Sequence, residues 1–269
     1  MGASDWGFSG AIPVTYDQYL GSMFFAPYAA DLARRARALG ARRVLELAAG
    51  TGIVTAELAR ALPEADIEAT DLNPAMLSFA AATRALPKVR WLAADALELP
   101  IPDGSVDLVA CQFGVMFFPD RVRSFREARR ILRPEGTFLF SVWDGLETND
   151  VARIVSGAAA AEFPDDPPRF FERVPHGHGD PAALERDLEA AGFTRVECEP
   201  VTLRSRAASA RDAAIGLCAG TPLRHEILAR GGRLDAVVDA AAAALRGAFG
   251  DGPIDGMMRA YVFTARAQT

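Results

Sequence analysis

Between about residue 30 and residue 143, short apolar runs alternate with longer stretches whose apolar positions return every three or four residues. The runs at 43–48, 66–71, 89–94, 106–113 and 137–143 have strand length, and the longer stretches have helical period. Punctuation agrees with the period. A helix over 31–39 stops at Gly40, and one over 51–62 stops before Pro63. Asn73-Pro74 supplies an N-cap and a first-turn proline for a helix reaching Leu86, and a helix over 119–132 ends at Arg133-Pro134. Strands separated by helices of roughly 10 to 15 residues form βαβ units and assemble a parallel sheet.

The second half is less regular. It predicts a helix over 151–163, a proline-rich loop over 164–179, a helix over 181–191 closed by Gly192, and a long strand over 195–203. Two or more helices fill 210–249, and a last strand covers 260–265. No internal repeat, coiled coil or low-complexity linker interrupts this order. The first dozen residues are the one segment that reads as flexible.

Composition narrows the class of function. The 269 residues carry a net charge of −6, and the 29 basic residues include a single lysine, Lys88. With an isoelectric point near 5.2, the chain lacks the basic surface that nucleic acid or an anionic membrane requires. Cys111, Cys198 and Cys218 are odd in number and widely spaced, which fits a reducing compartment better than a disulfide framework. The N-terminus has no basic region followed by an apolar core, and no apolar stretch reaches the roughly 18 residues of a spanning helix. A soluble, cytoplasmic protein is expected.

Chemistry enters at Val44–Val54, where two glycines and an acid follow a buried strand. Glycine at a strand–turn–helix junction admits close approach of a ligand, and the helix beyond offers free N–H groups. A dinucleotide site would place a third small residue three positions beyond the second glycine and a pyrophosphate over the turn. Here Val54-Thr55 stand where that residue belongs, and Glu46 would repel the phosphates. A carboxylate suits a cationic ligand instead. Asp71 ends the second strand, where a carboxylate can accept from both hydroxyls of a ribose. Asp95 ends the third and could accept from an exocyclic amine, with the Ala96 N–H meeting a ring nitrogen. S-adenosylmethionine has all three features. A nicotinamide-dependent oxidoreductase and a non-catalytic S-adenosylmethionine-binding protein are the alternatives.

At this point the chain resembles the class I S-adenosylmethionine-dependent methyltransferases, above all the small-molecule group containing the ubiquinone/menaquinone C-methyltransferases. The carrying segments are VLELAAGTG (44–52), ATDLNPAML (69–77), AADALELPIPDGSVDLV (93–109) and RRILRPEGTFLF (129–140), in family order. The resemblance implies one doubly wound α/β domain over 1–269 with a mostly parallel seven-stranded, Rossmann-like sheet whose last strand is antiparallel. Residues 40–143 would form the cofactor-binding core, 1–30 a lid, and 150–180 and 205–250 helical cap segments. Glu46 and the Ala48, Ala49, Gly50 and Gly52 backbone would hold the methionine end, Asp71 the ribose, and Asp95 with Ala96 the adenine; Leu72 and Met76 join the cofactor-binding set. The family pattern has glycine at the position of Ala48. Alanine adds one methyl group, and the expectation is that φ there stays below zero and packing tightens.

Methyl transfer is an in-line displacement at an activated carbon, so positioning does much of the work and a base is needed only for some acceptors. Gln112, after the fourth strand, could meet the cofactor's methionine group or the acceptor. Phe113, Met116, Trp143 and Phe171 are candidates for the acceptor pocket, with core packing as the competing reading. In the leading helix, Tyr16 and Tyr19 fall on one α-helical face, and either hydroxyl could reach the methionine carboxylate; Tyr16 joins the catalytic candidates and Tyr19 the cofactor set. His176 and His178 lie in a loop that the resemblance puts over the active site. They suit a general base, with a pKa near 6.5 if unperturbed, a two-histidine metal site completed by an acid, or a solvated loop; no metal is assigned. The partner expected is a small molecule. The acceptor, its O, N or C atom, and the oligomeric state do not follow from the sequence.

Overall fold

The computed structural model describes residues 12–177 and 179–267. These fall into two compact units: one over 12–27, 144–177 and 202–259, the other over 28–143, 179–201 and 260–267.

The seven-stranded sheet has the order β3-β2-β1-β4-β5-β7-β6. Its strands are β1 (Arg43–Glu46), β2 (Asp66–Asp71), β3 (Val89–Ala93), β4 (Val106–Gln112), β5 (Leu132–Trp143), β6 (Arg195–Ala207) and β7 (Ile254–Arg266). β1 pairs in parallel with β2 and β4, β2 with β3, and β4 with β5. β7 runs antiparallel to β5, from Thr137↔Arg266 to Trp143↔Ala260. The order reverses beside β1, so the crevice at its carboxyl end is where an open α/β sheet binds ligands.

In the unit containing residues 28–143, helices α2 (Ala26–Leu39) and α3 (Ile53–Ala61) cover the sheet. Ala29, Leu32, Ala33 and Ala36 of α2 pack with Val54 and Leu58 of α3 onto Val44, Ile67, Leu108 and Leu139. Stacked and edge-on rings fill a second cluster: Phe125 of α5 (Arg121–Ile131) lies 5.6 Å from Phe138, and Phe140 stacks on Phe263 at 4.8 Å. α4 (Pro74–Thr83) and α8 (Pro181–Ala190) start as proline-led helices, with Asn73 and Asp180 accepting from Ala75 N and Ala182 N. β5 begins at Leu132, ahead of the predicted start. Pro134 does bar the helix, but Leu132 already pairs with Val106 before a register shift.

In the other unit, α6 (Asp150–Ala161), α9 (Ala210–Ala219), α10 (Leu223–Ala229) and α11 (Leu234–Phe249) form a helical group, with short helices α1 (Ile12–Thr15) and α7 (Phe170–Arg173). Tyr16–Phe25 is a π-helix, closed by Ala26 N donating to Gly21 O. Its wide winding needs room on α9, and Gly216 and Gly220 provide it. A Cβ at Gly216 would come within 2.7 Å of Leu20 Cδ2 and 2.9 Å of Tyr19 Cβ. The reading of Tyr16 and Tyr19 on one face is corrected here. An i→i+5 winding turns residues three apart away from each other, and Tyr16 instead stacks on Phe25 at 4.7 Å.

Candidate active site

Glu46 closes β1, Asp71 closes β2 and Asp95 follows β3, so three neighbouring strands each present an acid at the same edge. Between β1 and α3 the chain turns through 47–52. Leu47 N donates to Ala110 O at 2.8 Å, Ala49 N to Thr70 O at 2.9 Å, and the Thr70 hydroxyl to Glu46 O at 2.7 Å. Asp71 clamps the turn: one carboxylate oxygen accepts from Gly50 N and the other from Asn73 N, both at 2.8 Å. Desolvation still raises the Asp71 pKa against those donors. Each oxygen keeps a second lone pair for a ligand.

Gly50 and Gly52 take φ of 56° and 76°. At Gly52 a side chain is also excluded sterically, since a Cβ would lie 2.8 Å from Trp91 Cη2. Ala48 has φ 53°, which corrects the expectation of a negative angle. The turn demands a left-handed residue where the family has glycine, and an L-residue there costs about 1–2 kcal/mol. Its methyl group points at Gly114, where a Cβ would come within 2.5 Å of it.

Glu46 is 1% exposed, and its Oε2 makes no hydrogen bond; nor do the hydroxyls of Thr51 and Thr55 at the start of α3. Burial drives the Glu46 pKa up to about 8. The Thr55 hydroxyl beside it pulls weakly downward without completing a bond of normal geometry, and Asp71 adds repulsion. Further along the edge, Leu72 is 57% exposed and Met76 is buried. Asp95 is exposed and accepts from Leu97 N at 2.9 Å, in a turn that also holds Ala96. Gln112 ends β4 opposite Ser141 of β5.

Phe113 follows with φ 55°, and its ring stacks on Trp143 at 3.8 Å and 4°. Tyr28 stands edge-on to both at 5.3 Å and donates to Val201 O. The Trp143 backbone N–H donates to Met116 Sδ at 3.4 Å. The structure therefore gathers Phe113, Met116 and Trp143, and none is more than 6% exposed. Tyr28 was missed, because one tyrosine near the start of a helix carries no signal of its own.

In the other unit, half-buried His176 directs Nδ1 to Asp144 O at 2.7 Å. A carbonyl only accepts, so Nδ1 carries the proton and Nε2 is the basic nitrogen. Burial lowers the His176 pKa to about 4, outweighing that hydrogen bond and the nearby Glu147 and Asp144. This lies below the unperturbed value near 6.5, and the ring is neutral at pH 7. Asp144, 4% exposed, accepts from Gly145 N and the Thr148 hydroxyl and pairs with Arg259. Asn149 completes the group by donating to Gly145 O and accepting from Arg259 N. An acid directly after the fifth strand was the sequence signal for Asp144. Phe171 is buried, its ring 6.4 Å from that of His176. His178 lies outside the described residues, among which no group of three or more His, Cys, Asp or Glu is placed to hold a metal ion. Among them, too, no helix is long and apolar enough to cross a membrane.

The family description "Methyltransferase domain" matches residues 45–140. A demethylmenaquinone methyltransferase of Thermus thermophilus is 40% identical over 118 residues, covering 40% of this chain and 53% of the relative. The chain thus spans about half the length of that relative. A demethylmenaquinone methyltransferase of a Mycobacterium species (strain KMS) is 34% identical over 170 residues, covering 60% of this chain and 71% of the relative. Among solved structures, the cyclase SpnF aligns with a TM-score of 0.58 at 23% identity, over 91% of this chain and 82% of that one.

Proposed function

Since the chain belongs to the class I S-adenosylmethionine-dependent methyltransferases, we propose that it transfers a methyl group from S-adenosylmethionine to a small-molecule acceptor. One observation carries this reading: the glycine turn, held by Asp71, lies beside a buried carboxyl group with an oxygen left unbonded. Buried polar atoms are normally satisfied, so Glu46 Oε2 and the Thr51 hydroxyl fit a ligand that brings an ammonium group and further donors and acceptors.

In this reading Glu46, Tyr19, Gln112 and the backbone of 48–52 meet the methionine end. Asp71 takes the ribose hydroxyls, Leu72 and Met76 border that sugar and base, and Asp95 with Ala96 reads the adenine. When bound, S-adenosylmethionine supplies a sulfonium-activated methyl carbon. The chain's part is to orient and to exclude water. Phe113, Met116 and Trp143 border the acceptor, with Phe171 a further candidate. His176 acts as a neutral imidazole taking a proton at Nε2; Tyr16 and His178 complete the catalytic candidates. The widely spaced cysteines agree with a cytoplasmic setting.

The oxidoreductase alternative fits poorly, since a pyrophosphate over the turn would face Glu46. A non-catalytic S-adenosylmethionine-binding protein is the second reading, since a fold does not by itself dictate an activity. Calorimetric titration with S-adenosylhomocysteine and with NAD separates the first pair. S-adenosylhomocysteine should bind and NAD should not; the reverse would overturn the proposal. Methyl transfer across an acceptor library then tests catalysis, and binding with no transfer to any acceptor would favour the second reading.

A further inference from the structure

Among the described residues, no cation accompanies the buried Glu46. It ends β1, pairs through its backbone with Ala69 and Ala110, and is 1% exposed. The titratable groups facing it among the described residues are Asp71 on β2 and Cys111 on β4, and α3 offers only the Thr55 hydroxyl. Neither titratable neighbour can supply positive charge. An ionised carboxylate enclosed this way would lack both a counter-charge and a full set of donors, which is costly in a low-dielectric interior. The group avoids that cost by keeping its proton, consistent with a pKa of about 8. Cys111, pushed up to about 12 by burial, is a thiol throughout this range and cannot compensate.

We propose that Glu46 is a proton-exchange site, protonated in the empty protein and ionised when the ligand's ammonium group arrives, so that cofactor binding expels a proton. The inference rests on the cofactor reading above and specifies how that site is regulated. The balance is simple: the O–H bond of the Glu46 carboxyl breaks, the proton leaves to solvent, and the ammonium N–H donates to the carboxylate that remains. Both S-adenosylmethionine and S-adenosylhomocysteine carry that ammonium, so both expel the proton. The sulfonium, present in only one of them, is not required. By linkage, affinity is lower where the proton is held more firmly, and it rises with pH up to the carboxyl's own pKa.

The test is calorimetric titration of the full chain at pH 7 in buffers of differing ionisation enthalpy, for both ligands. The slope of apparent binding enthalpy against buffer enthalpy gives the protons released. Close to one proton is expected for each ligand, and the dissociation constant should fall about tenfold between pH 6 and pH 7. Glu46→Gln, which keeps the shape, should still bind, more weakly, with no proton release and no such pH dependence. Binding by the wild type with a flat buffer series would overturn the exchange while leaving the cofactor reading intact. Release that persists in Glu46→Gln would assign the proton elsewhere and overturn it equally. Release with S-adenosylmethionine alone would overturn the ammonium as its cause, and no binding of either ligand would overturn the cofactor reading and the exchange together.

Discussion

The methyl group of Ala48 occupies the space that a side chain at Gly114 would need, the two Cβ positions being only 2.5 Å apart. The pair joins the turn after β1 to the turn after β4, and each residue is constrained by the other. Ala48 holds a left-handed backbone that glycine would take freely.

Ala48→Gly should therefore be neutral or stabilising by up to about 1 kcal/mol, since relief of the left-handed strain exceeds the entropy glycine adds to the unfolded chain. Gly114→Ala should destabilise by about 1–3 kcal/mol through overpacking. The double variant should recover part of that loss but not all, because a Cβ at 114 also meets Cys111 Sγ at 2.7 Å. Urea denaturation of the four proteins measures the coupling. Strict additivity would show that the two positions are independent.

Asp71→Ala removes the acceptor for Gly50 N and Asn73 N as well as the proposed ribose contact. Cofactor affinity should fall by roughly 2–3 kcal/mol, as expected for loss of charge-assisted hydrogen bonds in a cleft. The chain should still fold, with a lower melting temperature. Calorimetry alongside a thermal melt checks both, and an unchanged dissociation constant would remove Asp71 from the ribose.

The neutral His176 makes a pH forecast for stability. Its folded pKa of about 4 lies below an unfolded value near 6.5, so between these the unfolded chain binds the proton and the folded one does not. Stability is then complete above about 6.5 and is lost as pH falls toward 4. The loss should be about 2 kcal/mol, less than the full shift implies because the ring keeps part of its exposure. His176→Asn, whose amide can still donate to Asp144 O, should flatten that slope in urea midpoints taken from pH 4 to 8. The rate of methyl transfer should show no rise through 6.5 attributable to this residue.

Arg259 is the cationic partner of a nearly inaccessible Asp144 carboxylate. Arg259→Met should cost about 3 kcal/mol by leaving a buried charge without its ion pair. Adding Asp144→Asn should return a good part of it, because the amide oxygen can still accept from Gly145 N or the Thr148 hydroxyl. Denaturant midpoints of the single and double variants decide this, and a double variant weaker than Arg259→Met would refute it.

The sequence by itself determined the alternation of strands and helices, the cap at Asn73-Pro74, and the acids at the ends of β1 to β3. These are local properties: apolar period, a fixed proline φ, and the residue that follows a strand. Only the tertiary structure decided the left-handed backbone of Ala48, which a turn shared between two strands imposes on a residue that would not choose it. The same holds for the π-helix at Tyr16–Phe25, whose width depends on Gly216 and Gly220, almost 200 residues further along the chain. The protonation of Glu46 and His176 was illegible for the same reason. A side chain's pKa follows from the water removed around it and the partners brought to it, and both come from residues far away in the chain.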